Sequence, residues 1–454
     1  MKAGLQILLV GTVDTKADEL LFMKRCIEAE GAKATLMDVG VLGSASFPVG
    51  ISNREVAEAA GMTLERIAEL GDENLAMTKM AEGAVKLTLE RYRRGQVHGI
   101  LALGGTMGTD LALDVTAALP LGMPKFIVTT VAYSHLIPPD RLAPDLMMIL
   151  WAGGLYGLNS ICRSILSQAA GAVLGACSTV VPVQMQRPRV AISSLGRSCL
   201  SYMVRLTPAL EARGYEPVVF HCTGMGGRAM EALIEQGEFV AVFDFAQAEV
   251  SNHLHGSVVS AGASRLEAAG RRGIPQLVAP GASDMIDVQS WKPLQPTYAD
   301  RTYHAHNRLI GSVNSTPDER RAIAREIAAK LSRANGPVAF FLPVRGIHAW
   351  DHEGQPMHDP RVHAEYVEEF RRHLRAPIEL HDLDLHINDD AFVDAALDVF
   401  DRWVAEGLIP AGVKASLTRD EELVERPDYE LDELVSRIAP DNRHAEIDLG
   451  RENH

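Results

Sequence analysis

The sequence predicts an α/β protein built as two Rossmann-like parallel-sheet subdomains with a cleft between them, plus a charged C-terminal tail. Three observations predict this. Short, continuous apolar runs recur along the chain, as in strands buried on both faces. Amphipathic segments separate them, the βαβ rhythm of a parallel sheet with helices on both sides. The length of 454 residues exceeds what one hydrophobic core usually serves, so two or three domains are expected.

Strands are expected at 5–10, 34–39, 99–103, 126–131, 188–194, 217–221, 239–244, 275–279, 337–342 and 377–381. Between them DELLFMKRCIEAEG, MEALIEQG and DERRAIAREIAAKLSRANG read as helices, the last two stopped by a glycine. Val180–Pro188, VVPVQMQRP, has two prolines and no helical period, so the domain boundary is placed there. The expected units are 1–181, a nucleotide-binding subdomain; 182–416, a second α/β subdomain; and 417–454, a charge-rich tail in which DYELDELVSRIA is a helix candidate. Residues 6–43 and 189–228 share one layout of strand, polar loop, helix and returning strand. That layout fits an internal duplication and two independent α/β units equally.

Composition narrows the function classes. Apolar residues are 47% and charged residues 23%, as in an ordinary soluble globular protein. The net charge of −15 repels nucleic acid and anionic membranes, so neither is an expected partner. A local pocket for a small anion remains compatible with it. The five cysteines are scattered, odd in number and without a CxxC pair, which fits a reduced, cytoplasmic protein. MKAGLQILLVG reads as a first strand and not as a signal peptide. No apolar run is expected to reach the roughly 20 residues of a membrane span.

Four loops follow strands, at the sheet edge where α/β proteins bind ligands. The first supplies Gly11, Thr12, Asp14, Thr15 and Lys16 ahead of a helix whose free N–H groups favour an anion. It is not a Walker A loop, and Asp14 or Thr15 would serve equally as a helix cap. The second supplies Gly104, Gly105, Thr106, Gly108 and Thr109; glycines there let backbone N–H groups approach a ligand. A tight βα turn is the plain alternative. These two loops are the expected cofactor site. The third, HCTGMGGR, supplies Gly224, Gly226, Gly227 and Arg228 for a carboxylate or phosphate. His221 and Cys222 beside it are a poor nucleophilic pair, because adjacent strand residues point to opposite faces. The fourth, VAPGASDMIDV, holds Ser283 and Asp284, the latter a general base, a metal ligand or a turn residue. Arg197, Asn307 and Arg345 complete the expected substrate contacts. Asp284, His306 and His386 are the expected proton-transfer groups. Histidines gather in the second half, with Asp351 and Asp384 near them, but none follows a recognised metal-ligand spacing, so no metal set is assigned.

Ten stretches in order, among them GTVDTKADELLFM, LALGGTMGTDLA, GLNSICRSILSQAAGA, HCTGMGGRAMEALI, VAPGASDMIDV and GPVAFFLPVRGIHAWD, carry a family resemblance over roughly residues 5–400. On these the chain resembles an uncharacterised bacterial and fungal family named after the ATP-binding N-terminal domain of the tomato mosaic virus resistance protein. The resemblance implies two Rossmann-like subdomains and ATP binding centred on the first; Mg²⁺ accompanying a nucleotide is a separate expectation. In the plant protein this domain binds a viral replication protein; bacterial members look like metabolic proteins. Three loops depart from the family pattern: Met107 stands for a glycine, and 132–144 and 193–203 differ throughout, the last adding Arg197.

Two functions follow as expectations. One is a homo-oligomeric enzyme that binds ATP, another nucleotide or a phosphometabolite, and acts on a small carboxylate or sugar acid in the interdomain cleft. The other is a non-catalytic nucleotide sensor or partner-inhibiting module.

Overall fold

The first sheet begins with β1 (Gln6–Gly11), QILLVG, buried along all but its first residue. There follow α1 (Val13–Ala29), β2 (Lys33–Asp38), α2 (Asn53–Ala59), α3 (Leu64–Ala68), α4 (Glu73–Arg93), β3 (Gly99–Gly104), α5 (Thr106–Ala117), β4 (Lys125–Thr129), β5 (Leu146–Leu150) and α6 (Ser160–Thr179). The strands pair in parallel in the order β2-β1-β3-β4-β5. Apolar side chains fill both faces of this sheet: Leu8, Val10 and Ile100 face α4 and α5, while Ile7, Leu9 and Leu101 face α1 and α6. The computed structural model describes residues 4–413 apart from 44 and 184, so the expected tail, including its candidate helix, lies outside the described residues.

The second half comprises β6 (Arg189–Ser194), α7 (Met203–Ala212), β7 (Glu216–His221), α8 (Met225–Glu235), β8 (Ala241–Ala246), α9 (Ala248–Leu254), α10 (Ala268–Arg272), β9 (Gln276–Gly281), β10 (Met285–Gln289), β11 (Tyr303–Ala305), β12 (Ile310–Asn314), α11 (Pro317–Leu331), β13 (Val338–Pro343), α12 (Pro360–His373), β14 (Glu379–Leu383) and α13 (Asp390–Ala405). Its six-stranded parallel sheet reads β7-β6-β8-β9-β13-β14, so the strand order of the first sheet recurs. The antiparallel strands β10-β12-β11 form a small separate sheet inserted between β9 and α11.

All ten expected strands are present, and four more join them. The edge strand β5, LMMIL, is itself an unbroken apolar run, but none of its residues is buried, and its run leads straight into Gly153 and Gly154. The inserted strands are short and carry polar residues such as Asp287, Ser312 and His304, so no apolar pattern announces them. Two further expectations are corrected. Gly237 does follow α8 with φ +84°, but Gly336 does not cap α11; a Cβ there would come within 2.5 Å of the Gly273 backbone, so close chain packing explains it. And α6, with 20 residues, is long and apolar enough to cross a membrane by length and composition. It packs Leu166, Ala170, Val173 and Leu174 into the core beside α1.

Candidate functional site

The strand order of the first sheet reverses between β1 and β3, the topological switch point where such sheets bind ligands. The loops after these two strands meet there. Thr12, Asp14, Thr15 and Lys16 line one pocket of about 290 Å³ with Gly105, Thr106, Met107 and Gly108. Beyond Thr106 and Met107 a second hollow of about 480 Å³ runs to Leu136 and Arg141. Gly105 caps α5 without any side-chain hydrogen bond, so the first-turn N–H groups keep their positive end for a ligand.

Other residues of these loops serve the fold. A Cβ on Gly11 would come within 2.9 Å of Leu20, and one on Gly104 within 2.5 Å of the Gly108 carbonyl carbon, so both allow close helix–strand packing. Thr109 is buried, its hydroxyl 2.6 Å from that of Thr129. Lys16 donates to the Leu155 carbonyl at 2.7 Å and lies over the Tyr156 ring. At the start of α1 the Val13 amide donates to Asp38, a carboxyl that burial holds above its usual range. The donor end of this groove is therefore α5 more than α1.

The third loop is already occupied. Glu249, fully buried on α9, accepts the amides of Gly224 at 2.6 Å and Gly227 at 3.0 Å. A Cβ on Gly227 would fall 1.7 Å from Glu249 Oε2, and one on Gly226 would fall 1.8 Å from the His221 carbonyl oxygen. Arg265 holds the carboxylate with its Nε at 2.7 Å and takes Asp244 with both Nη atoms. Arg228 donates to the Ser260 carbonyl and stands 3.8 Å from Asp140. The expected external anion is thus replaced by an internal one, because the helix N-terminus and glycine nest suit any carboxylate within reach.

A third region lies beyond β9, β13 and β14, around a pocket of about 460 Å³. Asp284 opens into it from the turn after β9 and is held by Arg320 at 3.0 Å and His348 at 3.2 Å, all three buried. Burial pushes the Asp284 carboxyl up, but Arg320 and His348 outweigh it and hold it well below the usual range. Burial likewise opposes protonation of His348, yet Asp284 and Asp351 raise its pKa above the ordinary value. His386 Nε2 meets Asp351 Oδ1 at 2.9 Å and the His348 carbonyl at 3.1 Å; its Nδ1 accepts the Asn388 amide. Arg345 stands exposed at the rim, paired with Asp384.

Arg320 comes from α11, whose start is fixed by a capping box between Thr316 and Glu319. It shares the buried stripe of Ile323, Ala324 and Ile327. A charge placed at an apolar-stripe position was the available sequence signal. His363 is missing from the expected sets for the same reason: it sits on the Val362–Tyr366–Phe370 stripe of α12. His348 and Asp351 lie three residues apart in GIHAWD, at the two ends of one short turn, and stand out in the sequence only as part of a histidine-rich region.

By distance, Asp284, His348 and Asp351 could hold a metal ion, since one ligand atom from each lies within 4.8 Å of the others. The electrostatics oppose it. Burial disfavours a proton on His348, but Asp284 and Asp351 outweigh it, and Arg320 already neutralises Asp284. A metal-bound imidazole must instead be neutral. The arrangement suits proton and anion chemistry better.

The remaining expected residues scatter. His306 and Asn307 line a separate pocket of about 330 Å³ with Asp287 and Trp350; Asn307 Oδ1 there accepts two amides of its own turn. Ser283 is buried between the Pro280 carbonyl and the Tyr366 hydroxyl. Arg197 is exposed on the loop after β6. Cys222 is buried with its thiol pushed well up by burial, while His221 is exposed, as their opposite directions require. Each of these pockets is lined from one half of the chain, so among the described residues none of the four joins the loops expected to face each other across an interdomain cleft.

Two doubly wound halves with ligand-sized hollows at their carboxyl edges define a two-domain α/β protein of Rossmann-like class. Residues 5–182 match the N-terminal domain, and residues 187–404 the C-terminal domain, of the uncharacterised protein family UPF0261, and the chain belongs to that family. It is 54% identical over 407 residues to a UPF0261 protein of Brucella melitensis, covering 90% of this chain and 97% of that one. A UPF0261 protein of Clostridium tetani is 33% identical over 392 residues, covering 86% and 96%. The ToMV resistance protein Tm-1(GCR237) of Solanum lycopersicum is 28% identical over 429 residues, covering 87% of this chain and 55% of that protein.

Proposed function

We propose that this chain is an enzyme acting on a small carboxylate or sugar acid in the pocket around Asp284 and His386. On the same reading, the groove at the β1/β3 switch point holds ATP, another nucleotide or a phosphorylated metabolite. The observation that carries the first part is the buried run His386–Asp351–His348–Asp284–Arg320 bordering a hollow with Arg345 at its rim. Ionisable groups buried in contact, with pKa values pushed in opposite directions, are how proteins prepare acid–base chemistry. Arg345 offers a guanidinium to the substrate carboxylate. For the second part, the uncapped N-terminus of α5 at Thr106–Gly108 would hold a phosphate, and Asp14 and Glu73 supply oxygen donors suited to Mg²⁺. ATP, when bound, supplies phosphoryl-transfer chemistry. Five free cysteines agree with a cytoplasmic location, and the edge of β5, which pairs with no further strand among the described residues and is flanked by exposed Tyr133 and Tyr156, agrees with homo-oligomer formation.

The alternative, a nucleotide sensor without chemistry, is favoured by one observation: the two hollows lie in different halves. Melting temperature measured against ATP–Mg²⁺, ADP, sugar phosphates and small acids, followed by product assays on the hits, separates the readings. Stabilisation by an acid with product formation supports the enzyme. Stabilisation by nucleotide with no product from any acid supports the sensor.

A further inference from the structure

We infer that His352 is the group that exchanges a proton with the ligand in the C-terminal pocket, an inference that rests on the enzyme reading of that pocket. His386, the expected proton-transfer residue there, has both ring nitrogens engaged: Nδ1 by the Asn388 amide, Nε2 by Asp351 and the His348 carbonyl. It cannot move a proton to a ligand without breaking that set. His352 lies on top of it, ring centroids 3.7 Å apart and planes 20° from parallel. His352 is exposed, lines the pocket, and makes no side-chain hydrogen bond among the described residues. The other pocket histidines are less free. His358 Nδ1 is bonded to the Asp351 carbonyl oxygen, and His363 is buried with Nε2 on the Pro343 carbonyl.

The surroundings fit a base. Burial and the neighbouring His386 hold the His352 pKa below the usual 6.5, against the opposing pull of Asp351 and Asp389, with His348 adding to the depression. His352 is then neutral at pH 7, with a lone pair available. The ligand's acidic proton passes to the imidazole, and the electron pair stays on the ligand atom it left. His386 acts as a positioning residue: Asp351 fixes its ring, and its face sets the plane of His352.

The test uses the full chain and diethyl pyrocarbonate. A neutral imidazole nitrogen attacks the reagent's carbonyl, a nitrogen–carbon bond forms, and ethyl carbonate leaves as ethanol and carbon dioxide. Mass spectrometry of peptides after timed labelling across a pH series reads each histidine separately. His352 is expected to label at least about tenfold faster than His348 and His386, with half-maximal rate below pH 6.5. Equal rates, or a midpoint above 6.5, overturn the inference whatever the pocket binds. In parallel, wild type and His352→Gln are compared on any acid from which wild type makes product. A fall in kcat of about 100-fold with little change in KM is expected, and unchanged kcat overturns the inference. If wild type makes no product from any acid while His352 labels as expected, the enzyme reading has failed and His352 is left as a free base without a substrate, which also overturns its catalytic assignment.

Discussion

Glu249 accepts the amide of Gly227 at 3.0 Å, and that contact turns a glycine-rich loop into structure. The loop has the composition of a ligand cradle, yet its anion is a side chain of the same protein. Gly227→Ala is therefore expected to destabilise by about 1–3 kcal/mol, because the new methyl would overlap Glu249 Oε2 at 1.7 Å. Urea unfolding measures it. Stability within about 0.5 kcal/mol of wild type would show that Glu249 is not seated there.

Arg265 is the only cation in contact with the buried carboxylates of Asp244, Glu249 and Glu231 among the described residues. Burial holds the Glu231 and Glu249 carboxyls above the usual range even with Arg265 beside them. Arg265→Met removes that cation and leaves the acids facing one another. A loss of about 3–5 kcal/mol is expected, read by chemical denaturation.

Thr106 is exposed at the first turn of α5, inside the N-terminal groove. Thr106→Asp places a negative charge at the positive end of that helix. In the absence of ligand it is expected to stabilise by about 0.3–1 kcal/mol. The same charge repels a phosphate, so stabilisation by ATP–Mg²⁺ should disappear. A melting-temperature rise with ATP that is unaffected by Thr106→Asp would remove α5 from the nucleotide site.

The Asp284–His348–Arg320 cluster predicts a pH window. Asp284, depressed below its unfolded value of 3.8, contributes stability that is present above 3.8 and lost as pH falls through the folded pKa. His348, raised above 6.5, contributes stability that is complete below 6.5 and lost as pH rises through its folded pKa. The stability difference between wild type and Asp284→Asn should therefore be largest between about pH 4 and 6.5, at about 3–5 kcal/mol, and shrink on both sides. Unfolding curves across pH check it. A flat difference would mean that the pair does not titrate with folding.

The parallel strands were legible because both faces are buried, which writes them as unbroken Val, Ile and Leu runs. The β1 and β3 loops were legible because a switch point needs glycine and small polar residues there. Glu249 was not legible: FAQAEVSN carries no signal that its carboxylate reaches a loop over twenty residues earlier in the chain. Arg320 sat in DERRAIA as one charge among several, and only its helical phase marks it as buried. His352 and His386 come from separate loops, and their stacking is a product of the β13–β14 pairing. Sequence spacing does not record such contacts.

On the reading proposed above, Asp284 belongs to an acid–base site for a small carboxylate. The most direct measurement is proton NMR of wild type and Asp284→Asn incubated with a set of carboxylic and sugar acids, with and without ATP–Mg²⁺. New product resonances are predicted from wild type with at least one acid, appearing about 100-fold more slowly or not at all with Asp284→Asn. No product from any acid, or equal rates from the two proteins, would contradict it.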